Sequence, residues 1–490
     1  MSLAFYFVCA LATHASGLWQ PMHADYSCWL RVARDWRAGA VLYRETYDNK
    51  LPWVYRWVRA VDSARPEISC YLAESVLAAA GATLFAAALR PSFPRISPLV
   101  SVLLILWTGT SETFYGAQTT EAFALWCDVA AIGCWALAAQ KGSPAWAFAA
   151  GIALVLTVTF RPPAVVHVIA WLPFLWLAYR RHSRKAAARN CAAALLGSIG
   201  MLALFCLDAV SSDWGSELPV VLARNARYGS LVPVAWGTSL FTAGATVARI
   251  VLGSPIALVF LVMTLVVWSR PPRRVPLPRK CWILAAILWC GAALAGAWPG
   301  GRHYAHYYHL LWPPLALLAA LWLCRAWDVT FSKRVQEKLI VGVAAGSIIV
   351  AVLQQTYSAA RAYRDDAQGQ RPQTAVLEAA RFLRRATSDT TPVVVHVWLD
   401  GAELYWRVPR PAPSFAIPHV LPRELFDQWA AATLAHPPEF IVWDGTPWQG
   451  VDGPPNPVVA ERFKLLLAQE YRRVERYGEL SVFRRNSNPN

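Results

Sequence analysis

The stretch QTTEAFALWCDVAAIGCWALAA, residues 118–139, decides what kind of protein this is. Beyond Glu121 near its head it carries a single charge, Asp128, in a run of small, aromatic and branched apolar side chains. As a helix rising about 1.5 Å per residue, such a run crosses the roughly 30 Å hydrocarbon layer of a membrane. Working outward, apolar runs of spanning or near-spanning length recur at 2–20, 68–89, 96–110, 145–160, 163–179, 191–210, 252–269, 281–298, 309–324 and 339–356. So many could not share one aqueous core, and the pattern predicts an α-helical polytopic membrane protein with about 11 spans. The first run lacks the basic start of a signal peptide and reads as an uncleaved helix. Arg161-Pro162-Pro163 breaks the 145–179 pair, and 236–252 is a candidate interfacial or re-entrant segment.

Composition agrees. Of 490 residues, 56% are hydrophobic and 16% charged, against about a quarter charged in a soluble domain. The aromatic content excludes a disordered chain. All ten cysteines fall in the first two thirds, mostly inside apolar runs, which argues against a disulfide framework. The net charge of +16 looks at first like a footprint for an acidic partner. It is instead concentrated in alternate connections, at 90–95, 140–144, 180–190, 270–280 and 325–338, which hold 17 basic residues against Asp328 and Glu337. By the positive-inside rule these face the cytoplasm, together with the N-terminus, and no nucleic-acid partner is expected. The opposite loop 21–67 has eight basic and six acidic residues.

Eleven spans deliver the remainder, 357–490, to the outer side, so that 1–356 reads as a transmembrane domain including outer loop 21–67. Residues 357–490 have the texture of a small extracytoplasmic α/β domain. Their pattern predicts helices over 372–387, 422–435 and 457–470, strands at Val393–Trp398 and Phe440–Trp443, and a terminal hairpin turning at Tyr477-Gly478.

Chemistry is sought where the bilayer makes polar groups costly and where outer loops are long. Asp25 follows the first run directly, at the membrane–water boundary, where a carboxylate can meet both a lipid-borne and an aqueous reactant. Lys50, between Asp48 and the Pro52-Trp53 corner, is a candidate for an anionic headgroup. Asp35, Glu45 and Asp62 read as solvated loop charges. Glu121 heads its span, and Arg161 stands where a helix stops and backbone donors are free. Glu74 and Asp128, inside spans, are expected to satisfy one another or a hydroxyl. The outer loop GRHYAHYYH, residues 301–309, has histidines at 303, 306 and 309; three-residue spacing suggests a metal face, but no acid accompanies them, and Arg302 with His306 suits a lipid phosphate better. Walker loops, a GxSxG elbow, HExxH and GxGxxG are all missing from the sequence.

With these residues in view the chain resembles the GT-C class of polytopic glycosyltransferases, especially bacterial relatives of dolichyl-phosphate-mannose protein mannosyltransferases and of lipid A aminoarabinose transferases. Asp25 looks like the class's loop-one catalytic aspartate. YRETYDNKLPW (43–53) resembles its Y.D..D.KPP stretch, TTE (119–121) its acidic helix start, and Arg161-Pro162 its Lys-Pro corner. GRHYAHYY (301–308) with Pro313-Pro314 resembles its GR.Y.HYY...PP signature, and ELYWRVPRPAPSF (403–415) its outer domain. Two departures are Tyr26, where an acid often follows the aspartate, and KLP in place of KPP.

The resemblance implies a GT-C-like fold and inverting transfer of a sugar from a polyprenyl-phosphate donor to a glycan, lipid or protein acceptor. Asp25 would be the general base. Lys50, Arg161, Arg302 and His306 would bind the donor phosphate, with Asp48, Tyr43, Glu121 and Tyr304 as further substrate-binding candidates. A cation cluster would replace a divalent metal, and no cofactor is expected. The implied address is a bacterial cytoplasmic membrane. Rival readings are a transporter or flippase without covalent chemistry, which usually shows repeated halves that this sequence lacks, and a noncatalytic scaffold with an outer sensing domain.

Overall fold

The computed structural model describes residues 2–18, 22–46, 48, 50–63, 65–94, 96–110, 114, 118–212, 214–223, 236–252, 276–298, 303–330, 346, 349–361, 363–364, 372–397, 401–408, 423–445 and 457–486. They form two compact units. The first comprises Met1–Gln20, Ser63–Leu207 and Val232–Ala360, and the second Pro21–Asp62, Asp208–Leu231 and Arg361–Asn490.

The first unit is helical. It contains α1 (Leu3–Thr13), α4 (Pro66–Leu89), α5 (Ser97–Thr110), α6 (Thr120–Lys141), α7 (Pro144–Phe160), α8 (Leu172–Arg181), most of α9 (Arg184–Ser211), α10 (Trp236–Leu252), α11 (Leu277–Ala297) and α12 (Trp312–Thr330). Helices α2 (Ala24–Arg37) and α3 (Pro52–Val61) belong to the second unit. Among the described residues five helices are long and apolar enough to cross a membrane: Pro66–Leu89, Thr120–Lys141, Pro162–Arg181, Arg184–Ser211 and Leu277–Ala297. The expected runs at 2–20, 96–110 and 145–160 form shorter apolar helices. Nearly all of the run at 252–269 and half of 339–356 lie outside the described residues.

Helix α6 is the buried axis of this unit, packed against α4 and α7. Proline explains the corner at 161–163. The two rings withhold amide donors, α7 stops at Phe160, and Pro162–Trp171 continues as a 3₁₀ helix against α11. Gly151 of α7 and Gly197 of α9 meet at a crossing so close that a Cβ on either would collide with the carbonyl of Ala194 or Phe148; small residues let membrane helices approach this way. Leu195, Leu196, Ile199, Leu202 and Leu204 on α9 are exposed, an apolar face suited to lipid.

The two carboxylates inside the spans do not pair with one another or with a hydroxyl, as the sequence led us to expect. Glu74 accepts hydrogen bonds from His14 Nδ1 and Trp126 Nε1, both at 2.5 Å. Asp128 accepts from His167 Nδ1 and Trp289 Nε1, both at 2.7 Å. Each buried carboxylate has recruited an imidazole and an indole from neighbouring elements, donors that cost little to carry into an apolar interior.

The C-terminal segment of the second unit is α/β: α13 (Pro372–Ala386), β1 (Val393–His396), α14 (Gly401–Arg407), α15 (Arg423–Ala435), β2 (Phe440–Trp443), α16 (Pro457–Glu470), β3 (Tyr471–Tyr477) and β4 (Leu480–Arg485). The sheet order is β1-β2-β4-β3, with β1 parallel to β2 and the rest antiparallel. Val393–Val395 and Phe440–Val442 are buried on both faces, as a continuous apolar run in a covered sheet should be. Gly478, at φ +55°, makes the hairpin turn that Tyr477-Gly478 predicts.

Candidate active site

In the second unit the site grows from the N-terminus of α2. His23 caps the helix, its Nδ1 accepting the amide of Asp25 at 3.3 Å, so Asp25 stands in the first turn, where the helix dipole favours a carboxylate. Asp25 is half-buried. One turn on, Cys28 is buried, and its thiol is pushed well above the usual range by burial, then by the charges of Asp48 and Asp25, with Lys50 offsetting part. That thiol therefore marks a place where three expected site residues, Asp25, Asp48 and Lys50, act within one electrostatic neighbourhood.

The described residues of 41–50 are irregular and held by tyrosines. Tyr43 is buried with φ +71°, a left-handed conformation that a bulky residue adopts only where its surroundings impose it. Its hydroxyl donates to the Lys50 carbonyl at 2.6 Å. Tyr55 Oη accepts the Lys50 amide and donates to buried Asp48 Oδ2, each at 3.2 Å. The Lys50 ammonium lies 6.0 Å from the Trp29 ring centroid, within cation–π range. Asp35 and Asp62 are not free solvated charges. Arg31 pairs with Asp35 at 2.9 Å and Arg34 with Asp62 at 3.5 Å. Glu45 is exposed and caps the amide of Val41.

In the first unit Glu121 opens α6 and Arg161 closes α7, and the two form an ion pair at 2.8 Å with little exposure on either side. The Arg161 guanidinium stacks 4.2 Å over Tyr307. Residues Ala305–Leu311 form a 3₁₀ turn that carries buried His306 against the rings of Tyr304 and Tyr307. Tyr304 is half exposed. His303, with φ +36°, bonds Tyr308 Oη through Nδ1 at 2.7 Å, and burial pushes its imidazole below the usual range. His309 is fully buried. Among the described residues no three His, Cys, Asp or Glu side chains converge as a metal set. Arg302 lies outside the described residues.

The sequence matches no protein-family model and no curated protein. Solved structures do match. ArnT from Cupriavidus metallidurans, determined with undecaprenyl phosphate bound, aligns over 99% of this chain and 98% of its own, at 14% identity and a TM-score of 0.60. The apo oligosaccharyltransferase of Archaeoglobus fulgidus aligns over 90% of this chain and 69% of its own, at 12% identity and a TM-score of 0.51. The chain shares the fold of ArnT.

Within this fold the structure adds residues that sequence reasoning passed over: Trp29, Tyr55, Thr46 and Cys28 around Lys50 and Asp25, and Tyr307 under Arg161. Tyr55 was the most accessible of them, since it sits one helical turn past Leu51-Pro52 on the helix that those residues start. Thr46 and Trp29 carry no local signal, because their roles depend on the path of an irregular loop.

Proposed function

We propose that this multi-pass membrane protein is a glycosyltransferase that moves a sugar from a polyprenyl-phosphate donor to an acceptor on the outer face of the membrane, with inversion. The observation that carries the reading is a carboxylate, Asp25, in the first turn of α2 and an ammonium, Lys50, over Trp29 of the same helix, in a chain with the ArnT fold. Asp25 takes the proton of the acceptor hydroxyl or amine. The acceptor atom then attacks the anomeric carbon from the face opposite the phosphate. The carbon–oxygen bond to phosphate breaks, and polyprenyl phosphate leaves with the electron pair and one more negative charge. Lys50 meets that charge; the sequence motifs alone assign Arg161, Arg302 and His306 the same role. Tyr43 and Asp48 shape the Lys50 segment, while Glu121 orients Arg161 and Tyr304 stacks on His306. The basic connections, with 17 cations and two acids, support a cytoplasmic N-terminus and an extracytoplasmic C-terminal domain in a bacterial inner membrane.

Mass spectrometry of co-purifying lipids tests this directly. Wild type is expected to carry a polyprenyl phosphate, Lys50→Ala to lose it, and Asp25→Asn to keep it. On that lipid's sugar-charged form, Asp25→Asn should transfer about 10²–10⁴-fold more slowly. A Lys50→Ala protein as loaded as wild type, or an Asp25→Asn protein at full rate, would overturn the assignment.

A further inference from the structure

Among the described residues of 41–50 none belongs to a helix or strand that could hold Lys50, yet its backbone is tied to the C-terminal domain by an unbroken series of contacts, all within the second unit. On β1, the amide of Val395 donates to the Tyr405 hydroxyl at 2.8 Å. The Tyr405 ring and carbonyl receive the Arg31 guanidinium, 5.3 Å from the ring centroid and with Nη1 3.4 Å from the oxygen. Arg31 Nε donates to Asp35 Oδ2 at 2.9 Å, and the same oxygen accepts from Thr46 Oγ1 at 3.3 Å. The Thr46 carbonyl accepts the amide of Tyr43 at 2.7 Å, and Tyr43 Oη donates to the Lys50 carbonyl at 2.6 Å.

We infer that Arg31 and Asp35 are positioning residues through which helix α14 (Gly401–Arg407) of the C-terminal domain sets the place of Lys50. The left-handed Tyr43 is the reason the chain matters. At φ +71° it stores strain that its bonds to Thr46 and Lys50 oppose from both sides. Releasing Thr46 from Asp35 lets Tyr43 return to negative φ and carries the Lys50 carbonyl with it. A cation moved by an ångström loses much of its grip on a phosphate. The C-terminal domain, on this view, is part of the lipid-phosphate site without touching the lipid.

Arg34 supplies a matched control. It too reaches α14, stacking 4.8 Å over Trp406 and donating to its carbonyl at 3.4 Å, but its acid is Asp62, beyond the 41–50 segment. Loss of Arg34 therefore weakens the same domain contact and leaves the Tyr43–Lys50 link intact.

The inference rests on Lys50 as the phosphate-binding residue, so the experiment separates the two. Undecaprenyl phosphate is titrated into the full-length protein in detergent by native mass spectrometry, with melting temperature followed in parallel. Arg31→Met and Asp35→Asn are each expected to weaken binding about tenfold, the worth of one charge-assisted bond, and Arg31→Lys to recover most of it by restoring the Asp35 pair. Arg34→Met should bind within about twofold of wild type even where it melts as early as Arg31→Met. Thr46→Val, which cuts the link from the loop side, should match Asp35→Asn and covers the case in which Arg31→Met fails to fold. Wild-type affinity in Asp35→Asn and Thr46→Val, alongside a weak Lys50→Ala, would overturn the positioning role; so would an Arg34→Met loss equal to that of Arg31→Met. If Lys50→Ala itself binds as wild type does, the phosphate assignment fails first.

Discussion

Glu74 offers the sharpest energetic test of the membrane-embedded unit. Its side chain and that of His14 are both fully buried, and His14 Nδ1 and Trp126 Nε1 each approach the carboxylate at 2.5 Å. Replacing Glu74 by leucine keeps the volume roughly constant and leaves two donors facing hydrocarbon. Breaking a buried pair from one side costs about 3–5 kcal/mol, most of it the stranded partner. At roughly 2–4 °C per kcal/mol for a domain of a couple of hundred residues, that corresponds to a drop on the order of 10 °C. Removing both members in Glu74→Leu/His14→Leu takes away the stranded imidazole and leaves only the indole N–H, a penalty of about 1–3 kcal/mol. The double variant should thus melt higher than Glu74→Leu alone, a coupling that a double-mutant cycle reads out. Thermal unfolding in detergent, followed by tryptophan fluorescence, suffices. The reasoning is refuted if Glu74→Leu melts with the wild type, or if the two substitutions simply add.

Two further outcomes follow from other parts of the molecule. At the α7–α9 crossing, Gly151→Val and Gly197→Val should each cost about 1–3 kcal/mol, and the pair less than their sum, because the first already prises the helices apart; full additivity in thermal melts would mean that the two contacts are independent. For Cys28, burial and the neighbouring Asp48 and Asp25 hold the thiol protonated well above its ordinary range. An unfolded chain gives up that proton near about pH 8.5, so the stability it confers is full below that pH and declines as pH rises through the folded value. N-ethylmaleimide at pH 8 should accordingly leave Cys28 unmodified until the protein is denatured, as per-residue mass spectrometry would show; rapid labelling of the folded protein contradicts the burial of Cys28.

Much of the architecture was legible because it follows from short-range patterns. The run at 118–139 became the buried helix α6, and 372–387, 422–435, 457–470 and the terminal hairpin emerged within a residue or two of their expected limits. Apolar length was a poorer guide to spans. The stretches at 96–110 and 145–160 fall short of spanning length as helices, and the Pro162-Pro163 pair turned the next one into a 3₁₀ segment before α8. The partners of Glu74 and Asp128 could not be read at all. A carboxylate in an apolar run announces that a donor exists, but His14 is 60 residues from Glu74 and His167 is 39 from Asp128, and only packing decides which imidazole arrives.

The site divides along the same line. Motif reading singled out Asp25, Tyr43, Asp48, Lys50, Glu121, Arg161 and His306 as candidates because chemistry restricts the residue types that can serve as base, cation and stacking partner. It could not see how Lys50 is held. Nothing near Lys50 in sequence explains a tyrosine with positive φ seven residues earlier; the explanation runs through Thr46 and Asp35 to Arg31, and from Arg31 to Tyr405, 374 residues away. Asp35 read alone is a loop charge of the kind that solvates a surface, and Arg31 one cation of eight in a mixed loop. Their significance appears only once α2 and α14 are packed together. A loop without regular hydrogen bonds must borrow its rigidity from elsewhere, since an irregular segment left to itself samples many conformations at a cost of about 1–2 kcal/mol per residue to fix one. Here the lender is a domain whose sequence carries none of the expected catalytic residues, which gives its attachment to α2 a physical purpose.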